Sequence, residues 1–166
     1  MRFSGLPPPR AHPMLTPEGC RSRQQRLRHR LDALRLDAAV LTDHRDVYYL
    51  TGRLFPERLP IFLLLETRGS SWLVAPQEME GGCVEEILTY PWNARGTNHF
   101  DPLRRLNAVV ARRAVGAKPI RRLGWQEESL PMALAETITG TMAPAKWVPV
   151  DELLQDLQRS KDPDEV

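Results

Sequence analysis

Cysteine is scarce in this chain: Cys20 and Cys83 are the only two, far apart, and neither has a second cysteine nearby. That spacing excludes a C-x-x-C redox pair or a cysteine-built zinc site and leaves two plain thiols suited to a reducing cytosol. No apolar run approaches the roughly 20 residues that a membrane-spanning helix requires. Where a secretory signal would carry its apolar stretch, the N-terminus has Pro7, Pro8, Pro9 and Pro13, so no export by that route and a cytoplasmic location are expected. Neither a glycine-rich phosphate loop nor H-E-x-x-H nor a nucleophile elbow occurs. The four histidines, His12, His29, His44 and His99, have no ligand spacing among them. Twenty-three basic residues against 21 acidic ones leave a net charge of only +2, which is no footprint of a nucleic-acid partner.

What remains is an ordinary globular composition over 166 residues, enough for one domain with a proper core. Residues 1–15 form a proline-rich leader with few apolar anchors. Residues 1–13 are expected to add little to the fold, with Met14 as an alternative start. Thr16-Pro17-Glu18 reads as a capped helix start. Leu27, Leu31 and Leu34 then repeat at helical spacing, with Arg21, Arg23, Arg26, Arg28 and Arg30 mostly off that stripe on an expected solvated face.

Ala38 to Thr42 reads as a short buried strand, followed by Asp43 as a turn or cap and a brief helix stopped by Gly52. Ile61 to Leu65 and Trp72 to Ala75, joined by Thr67-Arg68-Gly69-Ser70, predict an antiparallel hairpin. Its first strand lacks alternation, so both faces should be covered. Val84 to Tyr90 is a weaker strand. Beyond it the pattern is helix from Asp101, strand at Ile120 to Trp125, helix capped by Ser129, strand at Lys146 to Val150, and helix capped by Asp151. That order predicts parallel neighbours in the second half. The expected fold class is α/β: a three-layer mixed β-sheet of about six strands with one antiparallel hairpin and helices on both faces.

Candidate site residues are few. His44 follows a strand end, where open α/β sheets gather functional groups, although it and Asp43 also read as turn formers. A nuclease would need carboxylates converging on metal ions. Of the acids near strand ends, Asp43, Glu66 and Asp101, Glu66 abuts the hairpin turn, away from Asp43. Finally, Asp162-Pro163-Asp164-Glu165 has the form of a helix start, which places a domain boundary at residues 161–166, after a domain spanning 16–160.

Four segments in order resemble the N-terminal domain of the creatinase/prolidase family. Leu31 to Asp43 looks like its opening helix and first strand. Asp46-Val47-Tyr48-Tyr49-Leu50-Thr51-Gly52 is similar to its N-x-x-Y-L-T-G segment. Arg122-Leu123-Gly124-Trp125-Gln126 resembles its I-G-x-E strand, and Leu157 to Glu165 its L-R-x-x-K-S-x-x-E link. Asp46, Gln126 and Gln158 depart from the usual Asn, acid and Arg.

The resemblance implies a ribonuclease-H-like motif and a non-catalytic role. Chemistry in the family belongs to a C-terminal domain with a dinuclear divalent metal centre, such as manganese, so no metal, cofactor or catalytic residue is expected in this chain. The implied parent is a metal-dependent Xaa-Pro dipeptidase, aminopeptidase or creatinase-like hydrolase. Its implied partners are its own C-terminal catalytic domain and a second copy in a homodimer, over whose active site this domain forms a lid. In that setting Arg53, Phe55 and Arg58, just after Gly52, are substrate-rim candidates in trans. Phe55 would form an apolar wall, and the arginines would meet a carboxylate. A relative that has lost its metal ligands and binds protein partners is the alternative.

Overall fold

In a computed structural model of the protein, residues 15–79, 81–92 and 101–165 are described. His12, His99 and the leader through Met14 lie outside them. The elements are α1 (Pro17–Ala33), β1 (Ala38–Leu41), α2 (His44–Thr51), β2 (Phe62–Glu66), β3 (Ser71–Pro76), β4 (Glu86–Tyr90), α3 (Pro102–Ala114), β5 (Arg122–Trp125), α4 (Met132–Met142), β6 (Lys146–Pro149) and α5 (Asp151–Arg159). One 3₁₀ turn, Pro163–Glu165, follows.

The six strands form one sheet in the order β4-β3-β2-β1-β5-β6. The expected hairpin is β2–β3, but β2 is antiparallel to β1 as well. Thus β2 is the one inverted strand, while β4 lies parallel to β3, β5 to β1 and β6 to β5. Side chains alternate between the faces of the three central strands. Ala39, Leu41, Leu63, Leu65, Leu73 and Ala75 pack under α1, α2 and α5. Their neighbours Ala38, Val40, Phe62, Leu64, Trp72 and Val74 pack under α3 and α4. Covering both faces explains the unbroken apolar runs, because no apolar position on these strands needs to meet water.

Local signals account for most boundaries. The Thr16 hydroxyl accepts a bond from the Gly19 amide at 3.1 Å and caps α1, and Pro17 suits its first turn. Asp43 caps α2 by accepting from the amides of Arg45 and Asp46. Gly52 ends that helix in the left-handed region at φ 70°, where a Cβ would be strained. Two expected caps are not caps. The helix expected to start at Ser129 begins at Met132 instead, after Pro131 and with no side-chain cap. The Ser129 hydroxyl turns to Thr42 Oγ1 at 2.9 Å. Asp151 opens α5 but spends its carboxylate on the Glu127 amide at 3.0 Å.

The arginine-rich face of α1 is the main correction to the sequence reading. Arg23 is 0% exposed, and it faces the turn after α5 rather than solvent. Its guanidinium reaches Asp164 Oδ1 at 2.8 Å, Asp164 Oδ2 at 3.2 Å and Asp162 at 3.3 Å. Nε donates to the Tyr49 carbonyl at 2.7 Å. Arg26 grips Asp162 through both terminal nitrogens, each at 2.7 Å. Asp164 also accepts from the amide and hydroxyl of Thr16. The approach is so close that a Cβ at Gly19 would overlap the Asp164 carboxylate. Burial alone would push the Arg23 pKa down, but hydrogen bonds to Asp164 and Cys20 reverse the effect and hold it charged. A buried cation is tolerated only when paired and hydrogen-bonded in this way.

These contacts make the clamp acid-sensitive. The hydrogen bond from Arg23, helped by Thr16 and opposed by burial, holds the Asp164 carboxyl at about 2, and that from Arg26 lowers Asp162. A depressed carboxyl contributes stability that is full above its unfolded pKa and lost as pH falls through the folded value. Asp164→Asn is therefore expected to lower the melting temperature at pH 7. The gap to the wild type should shrink below pH ~4 and close near pH ~2. Melts across that range check it, and a gap that persists unchanged at the acid end would contradict the assignment.

Candidate functional site

The chain runs from β1 toward β2 on one side and returns to β5 on the other, so the strand order reverses at β1. Open α/β sheets bind ligands in the crevice outside the carboxyl ends of the strands at such a point. Here it is flanked by Thr42, Asp43 and His44 after β1 and by Gln126 to Ser129 after β5.

Gln126 organises the crevice. Its side-chain oxygen accepts from the amides of Thr42 at 2.7 Å and Asp43 at 3.0 Å, and from the Ser129 hydroxyl at 3.3 Å. Backbone amides can only donate, so they fix which way round this buried amide sits. Its nitrogen must then donate, and it donates to one oxygen of Asp46. The Gln158 nitrogen donates to the other oxygen. Burial pushes the Asp46 carboxyl pKa up, partly opposed by the Gln158 and Gln126 hydrogen bonds and helped by the nearby Asp43 charge. The three positions that depart from the family pattern are thus one hydrogen-bonded cluster.

Two clefts flank this cluster, with Asp43 and Ser129 lining both. The smaller, about 230 Å³, lies toward α5 and carries Asp46, Asp151 and Gln158. The larger, about 410 Å³, lies toward α3 and α4. Its walls are mostly apolar, with Ile61 and Leu134 buried, and His44 and Arg58 bring its basic groups. The His44 Nδ1 is buried and has no hydrogen-bond partner among the described residues.

The structure separates the rim candidates. Arg53 and Arg58 are exposed and make no ion pair among the described residues. Between them Leu54 is 70% exposed. Phe55 turns inward instead: it is 6% exposed and belongs to the core beneath α2. Glu66 pairs with Ala38 at the start of β1, at the opposite end from Asp43, and Asp101 is occupied in capping α3. The acids named for a nuclease therefore do not converge. His29 is exposed on α1. Cys20 is buried, Cys83 half-buried, and both are free thiols.

Among the described residues, one group of donors has the close spacing that a metal ion would need. Asp162, Asp164 and Glu165 bring carboxylate oxygens within 4.8 Å of one another. However, the Arg23 guanidinium contacts all three, and Arg26 and Lys161 hold two of them. A divalent cation would have to displace or face a buried positive charge there, so these residues do not fit one.

No helix among the described residues is long and apolar enough to cross a membrane. No curated protein matches the chain. Among solved structures, the prolidase of Pyrococcus horikoshii superposes with a TM-score of 0.63 at 17% identity, over 87% of this chain and 37% of that one. An Xaa-Pro dipeptidase of Bacillus anthracis gives 0.62 at 16% identity, over 88% and 38%. The chain thus spans little more than a third of these proteins. It matches the isolated creatinase/prolidase N-terminal domain of a Streptococcus pyogenes X-Pro dipeptidase over 81% of itself and 98% of that chain, with a TM-score of 0.60 at 15% identity. The sequence model of the Creatinase/Prolidase N-terminal domain covers residues 23–159, and on that match this chain belongs to the creatinase/prolidase N-terminal domain family.

Proposed function

We propose that this is the non-catalytic N-terminal domain of a metal-dependent Xaa-Pro dipeptidase, aminopeptidase or creatinase-like hydrolase acting in the cytoplasm. It serves dimerisation and closes the active site of the neighbouring subunit. The observation that carries this reading is the span of the family match, residues 23–159, against full-length prolidases of which such a domain makes up about 37%. The remaining part of the parent would supply a dinuclear divalent metal centre, such as manganese, and its water-activating chemistry. This chain's residues would supply enclosure: Arg53 and Arg58, which make no ion pair among the described residues, present charge on an exposed loop, and Phe55 anchors that loop in the core. An unpaired arginine beside an enclosed site can bind a substrate carboxylate bidentately and keep it from water.

Two measurements test the reading. The 166-residue chain supplied with manganese is expected to release no product from Xaa-Pro dipeptides, and metal-dependent turnover would overturn the division of labour. In the full-length dimer, Arg53→Ala is expected to raise KM or lower kcat by about tenfold, an interaction worth about 1.4 kcal/mol, with the melting temperature unchanged. Phe55→Ala should instead cost stability, about 3–5 kcal/mol for emptying a buried aromatic site. If Arg53→Ala keeps wild-type kinetics, the loop is not part of the rim.

A further inference from the structure

We propose that the larger cleft, at the carboxyl ends of β1 and β5, binds a small zwitterion with an apolar side chain, of the α-amino-acid class. Its volume of about 410 Å³ falls within the usual range for small-molecule sites, which pair apolar walls with a few convergent polar groups. Ile61 and Leu134 form buried wall, and Pro60, Pro102 and Pro131 add rigid apolar surface. None of these can hydrogen-bond a ligand with its side chain, so they accommodate hydrocarbon.

The polar groups are of both signs and incompletely used. Asp43 spends Oδ1 on the amides of Arg45 and Asp46, while Oδ2 has no hydrogen-bond partner among the described residues. Next to it, the buried Nδ1 of His44 is also without one. A buried polar atom without a partner is destabilising, and a ligand that partners it recovers that cost. Asp43 Oδ2 offers an acceptor for an ammonium group, and the His44 ring nitrogen offers a second polar contact beside it. Arg58 lies on the same cleft, makes no ion pair among the described residues, and offers its fork of donors to a carboxylate. Glu57 also lines the rim, and its negative charge disfavours a simple anion. Thr42 and Ser129 are hydrogen-bonded to each other at 2.9 Å and form a fixed polar wall. An anion alone would face Asp43 and Glu57, and a cation alone would face Arg58, whereas a zwitterion meets both signs.

The assignment does not depend on the parent's activity, and its test needs only this chain. Titration of the 166-residue protein with L-leucine, followed by amide and imidazole NMR signals, should give saturable shifts at Thr42, His44 and Ser129. N-acetyl-leucine, which lacks the ammonium, and leucinamide, which lacks the carboxylate, should each bind at least about tenfold more weakly, the effect of losing one charge-assisted hydrogen bond. Arg58→Gln should abolish the preference for leucine over leucinamide, and His44→Gln should weaken leucine binding while leaving the amide spectrum folded. Equal binding of the three compounds, or no saturable shift up to ~20 mM leucine, would overturn the proposal.

Discussion

A four-residue strand with no solvent-accessible side chain, Ala38–Leu41, is the constraint on which the rest depends. It lies between an antiparallel neighbour, β2, and a parallel one, β5. Because the chain leaves β1 on one side and later returns on the other, helices must cover both faces of the sheet. The same reversal leaves a gap between the loops after β1 and β5, where the two clefts form. Burial on both faces also forces the residues beyond the strand to be selective: the amides of Thr42 and Asp43 need acceptors, and Gln126 supplies one oxygen for both. A fully buried strand thus specifies the first polar groups of the crevice at its end.

The clamp around Arg23 plays the corresponding role at the edge of the molecule. It joins the start of α1 to the turn after α5 through Thr16, Asp162 and Asp164. Tyr49 lies between them, its ring 4.9 Å from the Arg23 guanidinium and its hydroxyl donating to the Leu157 carbonyl at 3.2 Å. Three elements distant in sequence therefore share one charged cluster. Pairing gives the segment after α5 a defined path that a solvated acidic stretch would not have, since each carboxylate has a directional partner.

Much of the fold was legible because its signals are local. Thr16-Pro17, Asp43 and Gly52 mark helix ends with the backbone groups they satisfy, and unbroken apolar runs mark strands buried on both faces. Two of the failures share a physical cause, competition for a hydroxyl or carboxylate. Ser129 and Asp151 have the right chemistry for capping, but Thr42 and the Glu127 amide take their oxygens. Arg23 looked like one of five exposed arginines because helical spacing alone cannot report a partner 141 residues away. Phe55 looked like a loop aromatic, yet a long connection between α2 and β2 needs an anchor, and Phe55 is buried in the core.

The site was less legible because its residues act together. Taken singly, Asp46, Gln126 and Gln158 are unremarkable polar residues on different elements. Their meaning lies in directionality. Gln126 cannot rotate its amide without setting its nitrogen against two backbone donors, so it must present hydrogens to residue 46. Residue 46 must therefore accept on that side, and a carboxylate does so without choosing an orientation. Its second oxygen then requires another donor, which Gln158 provides from α5. An amide at position 46 could satisfy Gln126 with its oxygen, but its nitrogen would oppose the Gln158 nitrogen unless that side chain turned over. Among the described residues no backbone donor holds the Gln158 oxygen, so Gln158 is the member free to turn. The cluster is thus fixed from the β5 side and adjustable from the α5 side, and a change at Gln126 must disturb the crevice more than the same change at Gln158.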